Sequence, residues 1–311
     1  MDATAFRDTL AQGTPLLLDG GLATQLEAQG ADLSDRLWSA RLLIEEPASI
    51  TAAHLAYFRA GARLATTASY QATFEGFGRR GIDHDAAVAL LRRSVALAND
   101  ARTTALGEGV AGPLFVAASV GPYGAMLADG SEYRGRYGRT LTQLRDFHRE
   151  RLQVLADAGP DVLAVETIPE LEEAEAVAQV LAEVRGAAAW VSFSCADGSH
   201  LRSGVPIEEA VAAVAEVPEV LAVGVNCTAP EHADELVGRI RAVTELPIVV
   251  YPNSGEGWDA IGRRWTGPGL ERVDADAAAR WLRAGATLVG GCCRVTPDQI
   301  AGLGAGLSRV G

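Results

Sequence analysis

Eight short apolar runs recur along the chain, at 16–21, 62–70, 114–122, 162–169, 188–195, 221–227, 247–255 and 287–293. Their hydrophobicity is near-continuous rather than alternating, which is the pattern of strands covered on both faces. The stretches between them carry apolar residues at helical spacing. Three of these end in a small residue and a glycine before the next run: Ala60-Gly61, Ala158-Gly159 and Ala284-Gly285. Glycine suits the left-handed position just past a helix. Thr167-Ile168-Pro169-Glu170 and Thr296-Pro297-Asp298-Gln299 both have capping-box spacing, and Pro297 suits a first helical position. Eight strands alternating with helices predict an α/β fold, a closed (β/α)8 TIM barrel, with a doubly wound open sheet as the alternative. No linker, low-complexity run or break in composition interrupts the pattern, so a single domain over 1–311 is expected.

The long insertions, 22–47, 71–81 and 123–139, all follow strands, on the face where such barrels keep their active sites. The third carries Tyr123, Tyr133 and Tyr137 among glycines and arginines. That composition fits a substrate lid and fits an irregular surface loop equally well.

Composition narrows the chemistry mainly by exclusion. A net charge of −13 offers no basic face for nucleic acid or an anionic membrane. The start, Met1-Asp2-Ala3-Thr4, lacks the basic and apolar regions of a secretion signal, and the apolar runs are too short to span a bilayer. Four cysteines are too few for a disulfide framework, so a reducing, cytoplasmic setting is expected.

The cysteines are informative by position. Cys227 closes the sixth run, and Cys292-Cys293 close the eighth after Gly290-Gly291. In a barrel these ends share one rim, so the three thiols can converge on a soft metal ion, with Zn2+ the natural candidate. Adjacent residues of a strand point to opposite faces, but the two glycines can relax that constraint. Buried core thiols are the competing reading, and for Cys195, at the end of the fifth run, it is the preferred one. Three thiolates leave a tetrahedral zinc with one open position, suited to a substrate thiol held as a nucleophile toward an electrophilic carbon. Asp19 and Glu166 also close strands, and either could accept hydrogen bonds from a substrate ammonium or serve as a turn or helix cap. Gly20 and Gly21 would let backbone N–H groups approach a carboxylate. Asn226 could orient the substrate or the thiolates, or be an ordinary turn residue.

With these residues in view, the chain resembles the homocysteine S-methyltransferases, most closely the single-domain type that uses S-methylmethionine or S-adenosylmethionine. The resemblance runs from about Leu16 to Ile300 and rests on Asp19-Gly20-Gly21-Leu22-Ala23-Thr24, Leu37-Trp38-Ser39 and Thr66-Thr67-Ala68-Ser69-Tyr70-Gln71. It extends through Ser119-Val120-Gly121-Pro122-Tyr123-Gly124, Ala128-Asp129-Gly130-Ser131-Glu132-Tyr133, Val165-Glu166-Thr167, Tyr251-Pro252-Asn253-Ser254-Gly255-Glu256 and both cysteine motifs. It implies that Cys227, Cys292 and Cys293 bind zinc, that homocysteine sulfur takes the fourth position, and that Asp19 and Glu166 hold the amino group. It also implies that Trp38 and Tyr70 line the methyl-donor pocket, where aromatic faces suit a sulfonium cation; Trp38 is also a candidate core anchor. Betaine-using relatives carry a long C-terminal extension used in oligomerisation, and cobalamin-dependent relatives carry further domains. Only 295–311 follow the second cysteine motif here, which favours a self-contained enzyme, a monomer or weak homo-oligomer, acting on two small molecules.

A betaine-type or other thiol methyltransferase on the same zinc barrel is the nearest alternative. A hydrolase or lyase using zinc-bound water is disfavoured, because three thiolates make bound water less acidic and no histidine lies in the cysteine motifs. A redox-sensing Cys292–Cys293 disulfide or a structural zinc site is the non-enzymatic alternative.

Overall fold

A computed structural model describes residues 3–32, 39–184, 186–259, 264–266 and 273–307. Eight parallel strands form one sheet: β1 (Leu16–Leu17), β2 (Leu64–Thr66), β3 (Phe115–Val120), β4 (Val162–Ile168), β5 (Ala189–Phe193), β6 (Val220–Asn226), β7 (Ile248–Tyr251) and β10 (Ala286–Val289). A separate antiparallel pair, β8 (Gly257–Asp259) and β9 (Arg264–Thr266), follows β7. Hydrogen bonding runs continuously from β2 through β3 to β7, then to β10 and β1. The remaining seam is closed by a parallel bridge between Leu18 and Leu64 and by the Arg63 N–H donating to the Leu17 carbonyl at 2.7 Å. Beyond it the Asp19 carboxylate accepts from the Thr66 N–H at 2.6 Å and the Thr66 hydroxyl at 2.9 Å, so a side chain continues the ladder. The predicted barrel is therefore the observed one.

The near-continuous hydrophobicity of the strands has two destinations. Leu16, Leu18, Ala117, Ala164, Trp190 and Leu288 fill the barrel interior, while their neighbours Leu17, Val116, Leu163 and Val191 pack outward. The first helix, Thr4–Ala11, closes one end, with Phe6 meeting Phe115 edge-on at 5.3 Å. Gly224 is where two strands press closest: a Cβ there would lie 1.8 Å from the Val249 carbonyl oxygen. Among the described residues no helix is long and apolar enough to cross a membrane.

The expected helix ends hold. Gly61, Gly159 and Gly285 have φ of 102°, 78° and 113°, the left-handed turn that follows a helix. Thr296 and Gln299 form the anticipated reciprocal cap, the Thr296 N–H reaching Gln299 Oε1 at 2.9 Å. The other predicted capping box does not form. Thr167 remains within β4 at φ 64°, and the next helix, Leu171–Leu181, starts after Glu170 with no side-chain cap. Several strands are also shorter than their apolar runs: the run at 62–70 contributes only Leu64–Thr66, because its later residues turn into the rim.

Candidate metal and substrate site

At the carboxyl ends of the strands, two loops lock together and carry the sulfurs. β10 ends at Val289, and the chain turns through Gly290 and Gly291 into Cys292 and Cys293. A Cβ on Gly290 would meet Leu18 at 2.6 Å, and one on Gly291 would meet Val295 at 2.2 Å. The Gly291 N–H donates to the Asp19 carbonyl at 3.0 Å, and the Gly21 N–H donates to the Val295 carbonyl at 3.0 Å. The Gly21 amide expected to face a substrate carboxylate is thus engaged within the protein. Gly20 permits close packing too: a Cβ would lie 2.5 Å from the Val295 carbonyl oxygen. The buried Tyr57 hydroxyl sits 2.9 Å from both the Gly21 and Val295 carbonyl oxygens, tying the loops from the side.

The cysteine turn is fixed at each step. The Cys292 N–H donates to the Pro252 carbonyl at 2.8 Å, and the Ser254 N–H to the Cys293 carbonyl at 3.1 Å. Arg294, at φ 66°, donates its N–H to Thr24 Oγ1 and its Nε–H to Glu256, each at 2.9 Å. Cys227 follows β6 at φ 46° and points at the same place. The three Sγ atoms lie within 4.8 Å of one another, and those of Cys292 and Cys293 are 3.9 Å apart. Zn–S bonds of about 2.3 Å at a tetrahedral centre separate sulfurs by roughly 3.8 Å, so the spacing fits one ion. All three thiols are free, Cys227 buried and the others half-buried. Hydrogen bonds from Cys292 and Cys293 hold the Cys227 thiol well below its ordinary value and push the two donors up. The adjacent-cysteine problem is resolved because both lie in a turn rather than a strand. Cys195 takes no part; it is buried and pushed up to about 12 by desolvation.

Asn226 supports this cluster from behind. Its Oδ1 accepts from the Thr167 N–H at 2.8 Å and the Ser192 hydroxyl at 2.9 Å, and its Nδ2–H donates to Thr167 Oγ1 at 2.8 Å. The Thr167 hydroxyl in turn contacts the Cys227 sulfur and the Tyr70 hydroxyl. Asn226 thus reaches the Cys227 sulfur only by way of Thr167.

Two buried carboxyl groups share the rim. Asp19 is 3% exposed and Glu166 6%, and among the described residues neither belongs to an ion pair. Burial pushes Asp19 up to about 7 and Glu166 to about 8, opposed by bonds from Thr66 and from the hydroxyls of Ser119 and Tyr251 respectively. A cation placed between them would reverse that shift. The loop at 123–139, expected as a lid or an irregular surface loop, brings two groups to the sulfurs, and the part played by Glu132 is one the sequence did not show. Tyr133 contacts the Cys227 and Cys293 sulfurs, and Glu132, buried and pushed up to about 7, leaves Oε2 without a partner. Tyr70 is half-buried beside them, whereas Trp38 lies outside the described residues.

The model of the family described as homocysteine S-methyltransferase matches residues 16–307. The chain belongs to the homocysteine S-methyltransferase family. The homocysteine S-methyltransferase of Escherichia coli (strain K12) is 50% identical over 292 residues, covering 93% of this chain and 94% of that one. A second relative, homocysteine S-methyltransferase YbgG of Bacillus subtilis (strain 168), is 45% identical and covers 93% of each chain. Among solved structures, the metallated form of the E. coli homocysteine methyltransferase MmuM superposes with a TM-score of 0.85 at 48% identity, covering 95% of this chain and 96% of that one. Among the described residues, Cys227, Cys292 and Cys293 are the one group of histidine, cysteine or acidic side chains whose spacing could hold a metal ion.

Proposed function

We propose that this chain is a zinc-dependent S-methyltransferase that moves a methyl group from a sulfonium donor, S-methylmethionine or S-adenosylmethionine, to homocysteine, forming methionine. One observation carries the reading: three cysteine sulfurs meet within 4.8 Å of one another beside two buried carboxyl groups that have no cationic partner among the described residues. Zinc bound by these thiolates would supply an open position at which a substrate thiol is kept ionised near neutral pH. Asp19 and Glu166 accept hydrogen bonds from the substrate ammonium, whose charge offsets the desolvation of both carboxylates. Their place beside the cysteines orients an amino acid with its thiol toward the sulfurs. Asn226, through Thr167, fixes the direction of Cys227.

On the other side, Tyr70, Tyr133 and the Glu132 carboxylate present aromatic faces and negative charge, which suit a sulfonium. The donor's positive charge disappears as its methyl group departs, so no side chain has to protonate a leaving group. Holding donor and acceptor in line is what remains for the protein to do. The family membership and the relatives' activity support this reading. Methionine formation from homocysteine, assayed with each sulfonium donor and paired with zinc quantification, tests it; a metal-free preparation of full activity would overturn it.

A further inference from the structure

Outside the sulfur cluster, a cavity of about 480 Å³ opens between the loop carrying Tyr133 and the loop after β5. Tyr133, Arg134, Arg136, Arg202 and Ser203 line it. Many of the described guanidinium groups have an acidic partner close by, as Arg102 has Asp161 at 2.8 Å and Arg149 has Glu183 at 3.0 Å. Arg134 follows that habit, with Asp129 at 3.8 Å. Arg136 and Arg202 do not: among the described residues they bind only neutral oxygens. Arg136 donates to the Ser203 carbonyl at 2.5 Å, and Arg202 donates to Ser194 Oγ at 3.2 Å and the Cys227 carbonyl at 3.4 Å. Glu170, the nearby acid, accepts from the backbone N–H of Arg136 rather than from its guanidinium. Arg136 itself sits at φ 58°, a left-handed backbone that is costly for a residue with a side chain. Both guanidinium groups keep N–H donors uncommitted, in the fork geometry that binds a carboxylate.

The cavity adjoins the sulfurs. The Arg202 guanidinium carbon stands 5.5 Å from the centre of the Tyr133 ring, and the Tyr133 hydroxyl contacts the Cys227 and Cys293 sulfurs. Homocysteine, anchored by Asp19 on the β1 side and Glu166 on the β4 side, leaves this loop side for the second substrate. We propose that Arg136 and Arg202 receive the α-carboxylate of the methyl donor, placing its sulfonium against Tyr133. The assignment rests on the function proposed above. It makes the amino-acid end, common to S-methylmethionine and S-adenosylmethionine, the anchor for either donor.

The test measures donor KM, homocysteine KM and zinc content for Arg136→Gln, Arg202→Gln and the corresponding Lys variants. Each enzyme is assayed with S-methylmethionine and with its decarboxylated analogue. The wild type is expected to disfavour the decarboxylated donor by about 10- to 100-fold, the range for losing a charged hydrogen-bond pair. Each Gln variant should lose a similar factor in donor KM and most of that discrimination, with homocysteine KM and zinc content unchanged and partial recovery in Lys. Discrimination that persists in both Gln variants, or a rise in homocysteine KM in place of donor KM, overturns the assignment. If Arg202→Gln fails to fold, the solvent-facing Arg136→Gln decides alone. A wild-type enzyme that makes no methionine from either full donor overturns the underlying function, and this assignment with it.

Discussion

Replacing Asn226 with alanine separates a supporting role from a substrate-binding one. The side chain is fully buried and makes three hydrogen bonds of 2.8–2.9 Å, two to Thr167 and one to Ser192. Ser192 keeps another partner, the Tyr251 hydroxyl at 2.7 Å, so its loss is partial. The Thr167 N–H, fully buried, has no replacement acceptor in view. Counting about 1 kcal/mol each for the bonds to the Ser192 and Thr167 hydroxyls and about 1–3 kcal/mol for the orphaned Thr167 amide gives roughly 3–5 kcal/mol of destabilisation. Thr167 is also held at φ 64° by these bonds, and its hydroxyl touches the Cys227 sulfur. Freeing it should weaken zinc binding by about 10- to 100-fold, the usual effect of removing a group that orients a ligand. Urea unfolding measures the first quantity, and competition with a chromophoric chelator the second. A variant that loses under about 1 kcal/mol, or one that loses stability but binds zinc as tightly as the wild type, would refute the positioning argument.

Further outcomes follow from the same geometry. Cys227→Ser and Cys292→Ser should each lose zinc and methionine formation together while circular dichroism shows the barrel intact; activity retained without zinc would contradict this. Glu166→Gln should weaken homocysteine binding by about 10- to 100-fold with zinc retained, measured by calorimetry, and unchanged affinity would leave Glu166 a purely structural acceptor. Burial raises Asp19 to about 7 and Glu166 to about 8, so the ligand-free fold favours their protonated forms and loses stability as pH climbs from about 4 through 8. Homocysteine affinity should rise over the upper part of that window as the carboxyls ionise, and Glu166→Gln should flatten the profile. Gly224→Ala should yield little folded protein, since its methyl would lie 1.8 Å from the Val249 carbonyl oxygen in the β6–β7 ladder.

The barrel was legible because its signals are local or periodic. Apolar runs covered on both faces need near-continuous hydrophobicity, and Gly61, Gly159 and Gly285 punctuate helices wherever they stand. The sulfur cluster was legible because strand ends of a barrel share one rim, which turns positions in sequence into proximity. Where long-range contacts decide, the local rules gave way. Thr167 has the spacing of a helix cap, yet its N–H is taken by Asn226, which belongs to another strand. Gly21 looked free to bind a substrate, yet its N–H is held by Val295 across the interlocked loops. Arg202 lies in a stretch without periodicity that no pattern marks as a neighbour of the cysteines, and placing the 123–139 insertion on the rim did not show that Glu132 and Tyr133 reach the sulfurs.

X-ray absorption at the zinc edge, recorded with and without homocysteine, reads how many sulfurs surround the metal. Three sulfur ligands and one lighter atom are expected in the free enzyme, changing to four sulfurs when homocysteine binds. A shell that already holds four protein ligands, or one that homocysteine leaves unchanged, would contradict the proposed zinc site.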